Sequence, residues 1–172
     1  MIEVRRLDAS EARAALPELG AVLHDCVAAG ASISFLDGFT VDDACAFFES
    51  LLPELESGTR VLLAAYDGDE LIGSAQFVHS WPPNSQHRAE VAKLVVHPRA
   101  RGRGAGRALM EQLEAEARAD GKTLLVLDTV SGGVADHLYE QLGWTRFGTV
   151  PGYALDTMSK PEPASFFYKH LA

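Results

Sequence analysis

The eleven residues His97-Pro-Arg-Ala-Arg-Gly-Arg-Gly-Ala-Gly-Arg107 carry the strongest functional signal in this 172-residue chain. Four of its 15 basic residues fall here, although the formal net charge of the whole chain is −9. The glycines carry no side chain, so backbone N–H groups can turn toward a ligand. A helix predicted to begin near Gly104 adds its unpaired N–H groups and the positive end of its dipole. The segment therefore predicts a binding loop for phosphate groups.

Two common phosphate-binding motifs do not fit this loop. A Walker loop requires G-x-x-x-x-G-K-[ST], a string that the chain does not contain. A dinucleotide fingerprint requires G-x-G-x-x-G, but the sixth position is Arg107 counted from Gly102 and Leu109 counted from Gly104. Asp128, at the end of the next predicted strand, still imitates the acid that binds ribose in dinucleotide folds. Dinucleotide binding therefore stays open as an alternative.

The hydrophobic pattern on both sides of the loop predicts one α/β domain over residues 1–172. Alternating or continuous apolar runs predict strands over residues 2–7, 61–66, 71–78, 90–96, 123–127, 145–150 and 166–170. Apolar residues at helical spacing predict helices over about 16–27, 40–55, 104–121 and 134–142. The order β-α-α-β-β-β-α-β-α-β-β indicates a mixed, mostly antiparallel sheet of about seven strands flanked by helices.

The acidic composition argues against nucleic acids and anionic membranes as partners. With 24 acidic residues against 15 basic ones, the chain lacks the basic field that nucleic acid or an anionic membrane attracts. The N-terminus has no signal-peptide run and no segment could span a bilayer, so we expect a cytoplasmic protein. Cys26 and Cys45 show no metal-ligand spacing, and we expect them reduced and no metal bound.

The loop also resembles a family signature. The pattern Arg101-x-x-Gly104-x-Gly106, after Val95-Val96-His97-Pro98 and before Ala108-Leu109, is similar to the acetyl-coenzyme A (acetyl-CoA) signature of the GNAT acyltransferase superfamily. The later stretch Leu138-Tyr-Glu-Gln-Leu-Gly-Trp144 resembles the tyrosine helix of that family and its following turn. Together with the element order, the resemblance covers nearly the whole chain and implies a GNAT-like fold.

A narrower resemblance concerns the substrate. Five short segments are similar to the acetyltransferases that confer tabtoxin resistance, which modify an amine of a β-lactam amino-acid toxin. They are residues 30–32, 88–91, 93–94, 127–129 and 151–153.

The family resemblance implies acetyl-CoA as the donor and indicates the residues that hold it. Backbone groups of Leu94, Val95 and Val96 would meet the pantetheine arm and the acetyl carbonyl. The pyrophosphate would lie on the loop residues Arg101, Gly102, Arg103, Gly104, Ala105, Gly106 and Arg107.

Catalytic roles follow from the same resemblance. Tyr139 matches the family tyrosine near the CoA sulfur, where a phenol can protonate the departing thiolate. Glu90 and Asp128 are alternative bases or ammonium ligands, and the narrower resemblance favours Asp128. One departure is Gly132, which replaces an asparagine that many members carry about seven residues before the tyrosine; a glycine N–H could substitute for its contact. His97 shows no paired acid in the sequence and is expected to be a bystander.

These features predict an N-acetyltransferase for the primary amine of a small molecule, such as an amino-acid-like toxin or antibiotic, acting by direct transfer in a ternary complex. Two alternatives stay open: acetylation of a protein N-terminus or lysine, and a regulatory module that binds acyl-CoA without catalysis. Family members are often dimers, so a monomer or a homodimer is expected.

Overall fold

The apolar runs of the sequence pair into one seven-stranded sheet within residues 1–171, the part of the chain that this computed structural model describes. The strands are β1 (Ile2–Leu7), β2 (Arg60–Asp67), β3 (Glu70–His79), β4 (Arg88–Val96), β5 (Leu124–Val130), β6 (Thr145–Leu155) and β7 (Pro161–His170). The α-helices are α1 (Ala9–Ala14), α2 (Leu16–Ala28), α3 (Val41–Ser50), α4 (Leu52–Glu56), α5 (Ala105–Ala119) and α6 (Val134–Gln141).

The strands lie in the order β1-β2-β3-β4-β5-β7-β6. Every neighbouring pair is antiparallel except β4 and β5, which α5 connects in parallel. This confirms the predicted mixed, mostly antiparallel sheet of seven strands. Within residues 1–171, no helix combines the length and the apolar character that crossing a membrane requires.

Two hydrophobic cores cover the sheet unequally. The α5 face carries side chains from β2 to β5 and from β7, such as Phe77, Leu125 and Phe167, packed on the apolar stripe of α5. The opposite face, here called the α2 face, packs α1 to α4 on the first four strands, with Leu23 and Leu62 fully buried. No described residue of β5, β6 or β7 joins that second core, so the α2 face of these three strands lacks a helical cover.

Several elements differ from the prediction. Asp8 caps an additional helix, α1, through a reciprocal capping box with Glu11, a pair that the sequence prediction overlooked. The helix capped by Thr40 ends at Ser50 and a new helix follows, because Pro53 cannot donate a hydrogen bond inside a continuous helix. Strand β6 ends at Leu155 and β7 begins at Pro161, so both are longer than predicted. Their pairing continues past a register shift between Val150 and Ala154.

Gly73 fixes how closely β3 approaches β4. A Cβ atom at this position would lie 2.6 Å from the carbonyl oxygen of Val95. We expect Gly73→Ala to displace β4 and to lower the free energy of unfolding by about 1–3 kcal/mol, as overpacking generally does. Urea unfolding followed by circular dichroism measures this loss.

Gly148→Ala is the matched control, because a Cβ atom on this β6 residue meets no heavy atom within 4 Å. The control should change the free energy of unfolding by less than about 0.5 kcal/mol. Equal losses in the two variants would contradict the role given to Gly73.

Candidate active site

A cleft opens between β4 and β5 on the carboxyl side of their short ladder. Parallel pairing covers only Arg88–Glu90 against Leu124–Val126, and beyond it the strands separate. A β-bulge lies in the same stretch of β4: its register against β3 shifts, and Lys93 adopts a φ of 52°. A bulge bends its strand and increases the local twist, which carries the end of β4 away from β5.

The edge of β4 presents backbone groups to this cleft. Val95 turns its N–H and C=O toward β3, so those of Leu94 and Val96 point the other way, into the cleft. The carbonyl of Val96 accepts hydrogen bonds from Cys26 Sγ at 3.3 Å and Arg101 Nε at 3.2 Å. The N–H of Val96 and both backbone groups of Leu94 therefore face a ligand position. Val95, predicted to join them, is paired with β3.

The arginine-glycine loop ends as the N-terminus of α5. Gly104 is the N-cap with a φ of 90°, and Gly102 has a φ of 73°, two left-handed conformations that disfavour other residues. Ala105 begins the helix and is buried. A Cβ atom at Gly106 would lie 3.3 Å from Leu138, so this glycine lets α5 approach α6. The loop thus exposes backbone N–H groups at a helix N-terminus beside the cleft, as predicted.

Three of the four exposed arginines of the loop form ion pairs with acidic residues. This arrangement keeps guanidinium groups concentrated at one helix end in a chain that is acidic overall. The ion pairs are Arg99 with Glu70 at 3.5 Å, Arg107 with Glu111 at 3.5 Å, and Arg103 with Asp67.

Tyr139 projects from α6 into the core on the α5 face. Its ring packs 5.8 Å from Trp144 and 5.7 Å from Phe167, centroid to centroid, and only 4% of the residue is exposed. Burial, with a smaller contribution from the negative charge of Asp128, raises the pKa of the phenol well above its usual value. Tyr139 is therefore held as a neutral phenol at physiological pH.

The two candidate carboxylates lie together on the α2 face. Glu90 is the last β4 residue paired with β5, opposite Val126, and Asp128 follows two positions later on the same face of β5. Both are exposed, and β5 continues past Asp128 to Val130. Partial desolvation raises the pKa of Asp128, an effect that the charge of Lys93 partly offsets.

Lys93 belongs to a segment of the narrower resemblance, residues 93–94, but no role was predicted for it. Its Nζ donates hydrogen bonds to the carbonyl of Ile33 at 3.0 Å and to Ser34 Oγ at 2.6 Å, and it lies 5.3 Å from the ring centroid of Phe35. Desolvation lowers the pKa of this lysine, while Asp128 opposes that shift. The bulge thus turns Lys93 toward the acidic side of the cleft.

The segment 31–40 and the β6–β7 turn meet above this side of the sheet. Ser32 Oγ donates to the carbonyl of Leu155 at 3.4 Å, and the N–H of Asp37 donates to the carbonyl of Thr157 at 2.8 Å. Together with Lys93, these contacts attach segment 31–40 at two places. We call this segment the roof.

Two sequence expectations are corrected here. The Nε2 atom of His97 lies 2.9 Å from Asp25 Oδ2, so this histidine has an acid partner from α2, 72 residues away. The N–H of Gly132 donates to Asp136 Oδ2 at 2.6 Å and is therefore engaged within the protein. Among residues 1–171, no group of three or more potential metal-ligating side chains comes together.

Solved structures confirm the fold independently of sequence identity. An N-acetyltransferase from Staphylococcus aureus Mu50 superposes with a TM-score of 0.81 at 20% identity, covering 100% of this chain and 99% of that one. An acetyltransferase from Salmonella typhimurium, determined with its cofactor acetyl-CoA, gives 0.74 at 23% identity and covers 99% of this chain and 94% of that one.

Similarity to curated proteins is partial. A mycothiol acetyltransferase from Streptomyces scabiei is 42% identical over 90 residues, 52% of this chain and 27% of that protein. The match therefore spans about a quarter of the relative's length. The model of the Acetyltransferase (GNAT) family matches residues 32–144, a range that contains the cleft, the loop and Tyr139. By this match and by its fold, the chain belongs to the GNAT acetyltransferase family.

Proposed function

We propose that this protein transfers the acetyl group of acetyl-CoA to the primary amine of a small molecule. The observation that carries the proposal is a cleft with a free strand edge, a glycine-rich helix N-terminus and two carboxylates. The buried phenol of Tyr139 lies close enough to Asp128 for that charge to raise its pKa. Neither a Walker loop nor a dinucleotide fingerprint provides this combination. Family membership supports acetyl-CoA as the donor.

The residues along the cleft fit acetyl-CoA. The backbone of Gly102 to Gly106 would bind the pyrophosphate, with Arg101, Arg103 and Arg107 supplying charge. The backbone groups of Leu94 would pair with the pantetheine amides as an added strand does. The N–H of Val96 would donate to the thioester carbonyl, a contact typically worth about 3–4 kcal/mol to the transition state.

The remaining residues supply the proton transfers. Asp128, directly or through water, removes a proton from the substrate ammonium, and Glu90 beside it attracts the cation. The free amine then attacks the acetyl carbon; the new C–N bond forms as the C–S bond breaks. Tyr139 donates its proton to the departing sulfur, and the second proton that the acylated nitrogen loses returns the tyrosinate to a neutral phenol. The raised pKa of Asp128 makes it a stronger base. Tyr139 is protonated before the sulfur departs, although its raised pKa makes it a weaker acid than a free phenol.

The attached roof favours a small acceptor over a protein chain. Segment 31–40 joins the β6–β7 turn above the carboxylates, which limits the room for an extended peptide. The names of the relatives, such as mycothiol acetyltransferase, are consistent with small-molecule substrates. We therefore place amino-acid-like amines, including toxins and antibiotics, ahead of protein N-termini and lysines.

The phosphate loop is tested by comparing two left-handed glycines. Gly104→Ala should weaken CoA binding about tenfold, roughly 1.4 kcal/mol, because it distorts the loop. Gly121→Ala imposes a similar backbone cost at the end of α5, where φ is 74°, and should leave CoA affinity unchanged. Isothermal titration calorimetry with CoA measures both. Equal weakening would argue against binding at Gly104.

The proton donor is tested with a matched pair of tyrosines. Tyr139→Phe should lower kcat roughly 100-fold while acetyl-CoA still binds, since only the proton is removed. Tyr66→Phe alters a phenol that packs near Arg5, away from the cleft, and should retain full activity. Release of free CoA thiol over an amine panel provides the assay. Full activity of Tyr139→Phe would exclude this role, whereas CoA binding by the wild type without acetylation of any amine would favour a non-catalytic module.

The environment of Asp128 is tested through the pH dependence of the free energy of unfolding. The folded pKa of Asp128 is raised, so the folded state binds more protons than the unfolded state between the two pKa values. Wild type should therefore lose stability relative to Asp128→Asn as pH rises from about 3, below the unfolded aspartate pKa of about 3.9, toward neutrality. Urea unfolding at several pH values measures the difference.

Asp43→Asn provides a control of opposite sign. Hydrogen bonds from Thr40 lower the pKa of Asp43, so wild type should gain stability relative to this variant over the same rise in pH. Parallel trends for both aspartates would contradict the environment described for Asp128.

A further inference from the structure

Four aromatic side chains form an exposed cluster on the α2 face of β6 and β7. They include Phe147, which is 62% exposed, and Tyr153, which is 51% exposed, while the other two are half-buried. Neither hydrophobic core contains them. We call this cluster the aromatic patch; its members are Phe147, Tyr153, Phe166 and Tyr168.

The rings of the patch order one another. Tyr153 meets Phe166 edge to face at 4.9 Å between centroids, and Phe147 lies 6.1 Å from Phe166 and 6.0 Å from Tyr168. Such contacts hold the aromatic rings in defined orientations while leaving them exposed. A contiguous exposed apolar patch is uncommon on a soluble protein and generally marks a binding site.

The strand register places this patch directly beside the carboxylates. Asp128 is the cross-strand partner of Phe166, and Val126 separates Glu90 from Tyr168 in the neighbouring row. Directly opposite side chains on one face lie about 5 Å apart. A cationic group bound by Asp128 would therefore lie next to the aromatic rings of the patch.

Charge complementarity identifies the occupant. The carboxylates attract a cation, and the rings offer apolar surface together with negative π faces. A second copy packed patch to patch about a two-fold axis would bring its own acids toward Asp128 and Glu90, a repulsive arrangement. An amine with an apolar body meets both halves of the site.

We propose that the aromatic patch binds the apolar or aromatic body of the acceptor while Asp128 holds its ammonium group. This inference rests on the proposed acetyltransferase function and narrows its substrate to amines with an apolar or aromatic side chain. The patch residues are specificity determinants and take no part in bond making.

The test compares amines that differ only in the body. We expect the kcat/KM for 2-phenylethylamine, measured by thiol release, to be at least about tenfold higher than the kcat/KM for ethylamine or ethanolamine. One well-formed apolar contact can supply a ratio of this size. Calorimetry with CoA present measures the affinity for the same amines without turnover. Phe166→Ala and the more exposed Tyr153→Ala should each reduce both preferences severalfold.

Trp81→Ala is the matched control, because Trp81 is an aromatic residue 85% exposed outside the patch. It should retain the wild-type preference. Thermal unfolding of each variant checks that the fold is intact, and if Phe166→Ala unfolds, Tyr153→Ala decides the outcome.

Several results would overturn the inference. Equal kcat/KM values for amines with apolar and with polar side chains would contradict the inference. They would not contradict the acetyltransferase function. A dimer in sedimentation that dissociates in Phe147→Asp, with unchanged amine preference, would assign the patch to a second copy. Selective binding of 2-phenylethylamine without any acetylation would support the patch and contradict the proposed function.

Discussion

Strands β4 and β5 stay paired over only three residues each, and the arrangement of the site depends on this early separation. A fully paired parallel ladder would consume the backbone groups of Leu94 and Val96 and would bring the following side chains into the core. Because the strands part instead, one strand edge, a helix N-terminus and two carboxylates face a common space. The bulge at Lys93 provides a local cause, since it increases the twist of β4 where pairing ends.

Features set by local sequence could be predicted. The turn Asp67-Gly68-Asp69 specifies the β2–β3 hairpin, where Gly68 has a φ of 63°. The helix N-terminus at Gly104 also follows from local sequence, because the glycines and the apolar spacing after them act within a few residues. Seven strands and their mixed sheet were therefore predictable, although α1 and the break before α4 depend on one capping pair and one proline.

Features set by tertiary packing could not be predicted. Nothing near Lys93 indicates a positive φ, because the bulge results from its register against β3. The partners Asp25 for His97 and Asp67 for Arg103 come from elements that only the folded sheet brings close. The aromatic patch was not predictable for the same reason. Strands β6 and β7 are longer than their apolar runs suggest, and the aromatic rings meet only across the hairpin that these strands form.

The tether made by Lys93 gives the cleft a mechanical property. This residue belongs to the strand whose next backbone groups face the cleft, and it also holds the roof above the carboxylates. A displacement of the bulge would therefore move both the strand edge and the contact with the roof. Any coupling carried by this residue would be reciprocal, because an effect of one ligand on the affinity for a second is matched by an equal effect in return. A single side chain thus connects the strand edge of the cleft to the roof.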